Sequence, residues 1–168
     1  KNASVQNDNK RSFILIGDPA LRIALPHMKV VTDSVNGISP ELVMDTLKAL
    51  SKVTIKGHLE DYNGNVLTGF DGVLSPSIFD KIKEMQTLGQ DPDSPVLTFE
   101  VQRNALYKGK ATVTDGQFTF SFIVPKDINY SFGAGKISYY ANSTSEDAGG
   151  YDTRLVVGGI DPNGISDE

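Results

Sequence analysis

Lys110-Ala111-Thr112-Val113-Thr114-Asp115-Gly116-Gln117-Phe118-Thr119-Phe120-Ser121-Phe122-Ile123-Val124 reads as two extended segments joined by a tight turn. Asp115-Gly116 supplies two adjacent positions that tolerate positive φ, which a two-residue hairpin turn of the primed type requires. After the turn, Phe118, Phe120 and Phe122 alternate with Gln117, Thr119 and Ser121, so one face of the strand carries a row of rings and the other faces water. Each such ring buries roughly 150–250 Å². Three in a row predict a core between packed sheets.

The same period-2 signal recurs on both sides of this hairpin. Residues 54–60 alternate and run into Asn63-Gly64, a second hairpin signal, with residues 66–70 as the returning strand. Further strands are predicted over 73–79, 97–103, 105–114, 136–141 and 153–158; Pro76 marks the first of them as an edge or a bulge. Residues 21–25 and 28–32 read as extended, with Pro26 between them. One helix competes with this pattern. Ser39 is an N-cap type, Pro40 suits the first helical position, and Leu42, Val43, Leu47 and Leu50 would share a face. The expectation is an all-β fold, an immunoglobulin/fibronectin-like β-sandwich of antiparallel strands over residues 21–160, preceded by an extended connecting segment and carrying one short helix, with 161–168 as a tail or linker.

Composition bounds the function. The chain has 168 residues, enough for one domain with a full core or one domain plus a fragment of a neighbour. Net charge is -5 with Lys and Arg scattered singly, so no nucleic-acid footprint is visible. There is no cysteine, which removes disulfides, thiolate metal sites and thiol nucleophiles together. No apolar run approaches the roughly 18 residues that cross a bilayer. The start, KNASVQNDNK, is polar, without initiator Met or signal-type apolar region, and reads as a processed or internal end.

Phe13-Ile14-Leu15-Ile16 is a four-residue apolar run without alternation, ended by Gly17-Asp18-Pro19. Such a run suits a strand covered on both faces. Residues 1–20 therefore read as the remnant and linker of an upstream domain. FILIGDPALR (13–22) resembles the end of the catalytic domain in gingipain-type cysteine peptidases. DTLKALSKVTIKGHLED (45–61), LYKGKATVTDGQFTFSFIVPKDINYSFGAGKISYYA (106–141) and YDTRLVVGG (151–159) resemble, in order, the region that follows the peptidase domain in PorU-type sortases of the type IX secretion system. The resemblance implies a parent that is exported to the outer membrane or cell surface, removes C-terminal sorting domains from cargo proteins and attaches the cargo to the surface. It implies a Cys-His dyad in that parent, but this chain has no Cys, and neither His27 nor His58 sits in a matching motif. No catalytic residue is carried over. The expected role is a non-catalytic fragment that braces the peptidase domain or positions protein cargo. Its expected partners are the upstream peptidase domain, other domains of the same protein, cargo, and a second copy through the N-terminal strand.

No metal or cofactor is expected. Asp61-Tyr62-Asn63-Gly64-Asn65 has oxygen donors at alternate positions, but a calcium loop needs Gly sixth and Glu twelfth, where this chain has Gly64 fourth and Gly72 twelfth. A hairpin turn is the better reading. Glu146-Asp147-Ala148-Gly149-Gly150-Tyr151-Asp152 reads as a loop of solvated carboxylates, as does Asp91-Pro92-Asp93. His27 and His58 have no metal-ligand spacing, and Ser75, Ser77 and Ser121 lack a nucleophile elbow. Gly133-Ala134-Gly135 and Gly149-Gly150 read as turns. Tyr130, Phe132, Tyr139, Tyr140 and Tyr151 are candidates for a sugar-stacking platform. Alternation places Tyr139 and Tyr140 on opposite faces, and the ligand-facing candidates are Tyr140 and Tyr151. The alternative reading is therefore a free-standing carbohydrate-binding or adhesion module. Asp33-Ser34-Val35 and Asp45-Thr46-Leu47 resemble a three-residue O-glycosylation motif of exported proteins.

Overall fold

The structure, a computed structural model, describes residues 25–41, 45–90 and 93–164. The predicted strand at 13–16 and the loop at 91–92 lie outside the described residues. The elements in chain order are β1 (Met28–Val35), β2 (Thr46–Ala49), β3 (Lys52–Glu60), β4 (Gly72–Phe79), β5 (Lys83–Gln86), β6 (Thr98–Val101), β7 (Ala105–Lys108), β8 (Ala111–Thr114), β9 (Gln117–Ile123), β10 (Gly133–Ala134), β11 (Lys136–Asn142), β12 (Asp147–Asp152) and β13 (Val156–Ile160). Among the described residues the all-β expectation holds.

The main sheet closes on itself. Its order is β11-β12-β1-β3-β9-β8-β4, and β4 then pairs with β11 from Lys136↔Phe79 to Asn142↔Val73, so seven strands form a ring. Two open sheets stacked face to face, as the sandwich reading required, would leave four edges; this ring leaves β7 as an eighth strand on the flank of β4. Most neighbours are antiparallel, whereas β1 and β12 run parallel through only Met28↔Ala148 and Lys29↔Gly149.

Inside the ring lie the rings. Strand β9 alternates without exception, with Phe118, Phe120 and Phe122 buried and Gln117, Thr119, Ser121 and Ile123 exposed. Tyr107 stacks on Phe122 at 4.7 Å and on Phe120 at 5.7 Å, and Tyr139 tilts against Phe118 at 5.7 Å. Val53, Ile55, Leu59, Leu74, Ile78 and Ile137 fill the remaining space, each fully buried. The Asp115-Gly116 turn has φ of 49° and 71°, the double positive φ read from the sequence.

Pro76 sits inside β4 and is buried, with β11 on one side and β7 and β8 on the other, not on an edge. The missing N–H is accommodated by a break. β8 pairs with β4 at residues 72–74 and β7 at 77–79, and the interruption between them falls beside Pro76, whose carbonyl accepts from Gly109 N at 3.2 Å. A strand residue points its N and its C=O to the same side. The absent donor therefore faces the gap in the neighbouring strand, where no ladder bond is lost.

Two other expectations are corrected. Residues 46–49 form β2, a strand parallel to β13, where a helix was predicted. Leu47 and Ala49 are buried while Thr46 and Lys48 are not, a period of two that a helix through these positions does not satisfy. The tail of that predicted helix ends at Leu50, whose φ of 67° turns the chain into β3. Residues 66–70 do not return as a strand. Only the bridge Glu60↔Val66 forms, and β3 takes β1 and β9 as its partners. Asp61 explains the difference, because its carboxylate accepts from Asn63 N, Asn65 N and Asn65 Nδ2 at 2.8–3.0 Å and folds residues 61–65 into a self-contained loop.

Candidate binding face

The outer surface of β11 and β12 brings together two of the five aromatic candidates, Tyr140 and Tyr151, whereas Tyr130 and Phe132 lie beside β13. Tyr139 points into the ring and is 4% exposed, while Tyr140 points out and is 47% exposed, as alternation requires. Register then fixes Tyr151: Ser138 lies opposite Tyr151 and Tyr140 opposite Gly149. Tyr140 and Tyr151 are thus diagonal cross-strand neighbours on the same face, roughly 7–8 Å apart at Cα. Tyr151 is 75% exposed.

Gly149 is the floor between them. It lies in a cross-strand row, Ser75, Tyr140, Gly149, Lys29, Glu60, built by four successive strand pairings. Gly149 leaves the centre of the row without a side chain of its own, and the Pro26 ring packs over that position. A groove of about 400 Å³ continues from it along the joint of β1 and β12, past Val31, Gly149, Tyr151 and Arg154. Tyr140 donates a hydrogen bond to Asp147 Oδ2 at 3.4 Å, and Lys29 Nζ stands 3.5 Å from Glu60 Oε1.

The floor of the groove is polar and fully satisfied. Asp152 is buried and takes a two-pronged contact from Arg154, Nε to Oδ1 at 3.0 Å and a terminal nitrogen to Oδ2 at 2.6 Å. Burial alone would raise the Asp152 carboxyl; the hydrogen bonds and charge of Arg154 outweigh it and hold the group below its ordinary range. Thr32 and Tyr139 share a hydrogen bond of 2.8 Å, and burial pushes the Tyr139 phenol up so that it stays protonated.

The oxygen-rich run read as a loop of carboxylates is strand β12. Asp147 and Asp152 are five residues apart on that strand, so they lie on opposite faces and cannot converge on one cation. Gly149 and Gly150, read as a turn, are extended within it. Gly150 is packed directly against the Val30 carbonyl and leaves no room for a Cβ, so it permits the close approach of β1 to β12. His58 holds Asp33 through Nδ1 at 2.7 Å, with Glu60 3.9 Å from Nε2. Both ring nitrogens face carboxylates, and the ring positions no hydroxyl nucleophile. His27 is exposed. Sequence reasoning missed the Asp152–Arg154 fork; its only local signal was an acid and a base two residues apart.

No family model matches the chain, and no curated protein does. Among solved structures, dimeric latent PorU from Porphyromonas gingivalis matches with a TM-score of 0.70 and 34% sequence identity over 91% of this chain. This chain resembles a segment of PorU. It spans 14% of the PorU chain. The sporulation control protein Spo0M from Bacillus subtilis matches at 16% identity and a TM-score of 0.41 over 80% of this chain and 50% of its own, too low to bear on the argument. The PorU match carries fold and sequence together across nearly the whole chain.

Proposed function

We propose that this chain is a non-catalytic β-domain of an exported, PorU-like cysteine peptidase of the type IX secretion system, held at the outer membrane or cell surface. There it braces the peptidase domain or positions protein cargo. The observation that carries the reading is the 34% identity to PorU with a TM-score of 0.70 over 91% of the chain. The missing cysteine supports it from the other side, since a peptidase of that kind draws its nucleophile from elsewhere in its polypeptide. In this reading residues 1–20 are the end of the preceding domain and 21–160 the domain itself. The test is the coding sequence around residue 1 together with an assay of the purified chain. We expect a Cys-His peptidase domain upstream and no peptide hydrolysis by the 168-residue chain. An upstream sequence without that domain overturns the proposal.

A second reading, a carbohydrate-binding or adhesion module, is favoured by one observation: Tyr140 and Tyr151 are diagonal neighbours on one exposed face. Aromatic faces next to Asp147, Ser138 and Lys29 suit a ligand with an apolar face and a hydroxyl edge, the description of a sugar ring. Glycan-array binding should be abolished by Tyr140→Ala or Tyr151→Ala, neither of which touches the core. Binding that survives both substitutions, or no binding at all, removes this reading.

A further inference from the structure

The ribbon β5–β6 stands apart from the barrel. It extends the β4–β7 hairpin, pairing Lys83↔Val101, Glu84↔Glu100, Met85↔Phe99 and Gln86↔Thr98, and among the described residues no third strand pairs with either edge. An isolated two-stranded ribbon is marginal in water unless one face is covered.

Its two faces differ. One carries Met85, Phe99 and Val101 with Lys83, continued by Leu97; the other carries Glu84 and Glu100 directly opposed, with Gln86 and Thr98. Opposed glutamates repel unless they stay in water, so the acidic face is the solvent face. Among the described residues, nothing packs over the apolar face. Leu97 is 59% exposed and Phe99 43%, and neither Met85 nor Val101 packs on the core. An open cleft of about 650 Å³ separates this face at Met85 and Val101 from the barrel at Asn104 and Asn129. Lys83 and Arg103 edge the cleft, and among the described residues neither is in an ion pair. Asp80 there is already held by Lys81 at 2.8 Å, which leaves Asp127 as the cleft's other carboxylate against two cations.

We propose that β5–β6 is a docking arm whose apolar face receives an apolar surface edged by carboxylates on another domain of the same polypeptide. This rests on the reading of the chain as one domain of a larger PorU-like protein. The occupant follows from two observations. Lys83 and Arg103 call for acidic partners, and the chain spans only 14% of the PorU chain it resembles, so a PorU-like protein carries other domains that could supply them. The acidic back face keeps the arm from stacking on itself in the other sense.

The experiment compares amide hydrogen exchange at residues 83–87 and 97–101 in the 168-residue chain and in the full-length gene product. Exchange in the full-length protein should be slower by about tenfold or more, and Phe99→Glu or Lys83→Glu/Arg103→Glu should restore the fast rate while the barrel amides keep theirs. Equal rates in the two proteins overturn this inference and leave the proposed function standing. Slow exchange in the 168-residue chain that grows with concentration assigns the face to a second copy and also overturns it. A gene that encodes no neighbouring domain sinks both readings together.

Discussion

Phe120→Ala should lower the unfolding free energy by about 3–5 kcal/mol, the range for truncating a buried aromatic ring that its surroundings cannot collapse to fill. Phe120 is the middle ring of the β9 row. Its centroid lies 6.2 Å from Phe118, 6.4 Å from Phe122 and 5.7 Å from Tyr107, so removing it empties the centre of a stack. The closed ring makes collapse difficult, because β9 is fixed by β3 along seven residue pairs and cannot move inward without breaking them. Urea titration checks this, with an unchanged slope and a lower midpoint expected. Thr119→Ala, one residue away on the outer face, should stay within about 0.5 kcal/mol. A Phe120→Ala loss below about 1 kcal/mol would show that the interior is not packed as described.

Gly57→Ala should cost about 3 kcal/mol, the upper part of the range for forcing extra volume into a packed core. Gly57 lies inside β3 at an inward position, opposite Thr32 of β1 and Phe118 of β9. A Cβ there would collide with the Val31 carbonyl oxygen and with the Phe118 ring, which occupies the space a side chain would need. The ring could swing away, but the carbonyl belongs to the β1–β3 pairing and could not. Loss of unfolded-state entropy on Gly→Ala favours the variant by about 0.4–1 kcal/mol, too little to reverse the sign. Combining Gly57→Ala with Phe118→Leu should cost less than the sum of the two single losses, by about 1 kcal/mol, since the smaller side chain vacates the contested space. Strict additivity of the two would contradict this contact.

What the sequence revealed and what it hid follow from the range of the forces involved. The alternation of Phe118, Phe120 and Phe122 is local, and so is the turn chemistry of Asp115-Gly116; both were legible. Tyr140 could be set outside by counting from Tyr139, but Tyr151 needed the β11–β12 register, which no local pattern states. Ring closure depends on β4 meeting β11 across some sixty residues of chain, a long-range pairing that leaves no periodic trace. Strand β12 was hidden because Ala148, Gly149 and Gly150 have little strand propensity, and their smallness serves the approach to Val30 and the floor beneath Pro26. Ser39 and Pro40 announce a helix by cap chemistry alone, yet at Thr46–Ala49 the parallel pairing with β13 decides the outcome. Pro76 was read by a rule about donors that holds, but the barrel meets it by interrupting the neighbouring strand.

The two-residue parallel contact between β1 and β12 gives the barrel the mechanics of a bracelet with one clasp. Most other junctions of the ring are longer or are bridged by a tight turn in the chain. Releasing Met28 and Lys29 from Ala148 and Gly149 would turn the closed ring into a curved sheet while the row of stacked rings on β9 keeps its partners. A pull on the chain ahead of Met28 would load this two-pair contact at its first residue, together with the start of the β1–β3 pairing at Lys29↔Glu60.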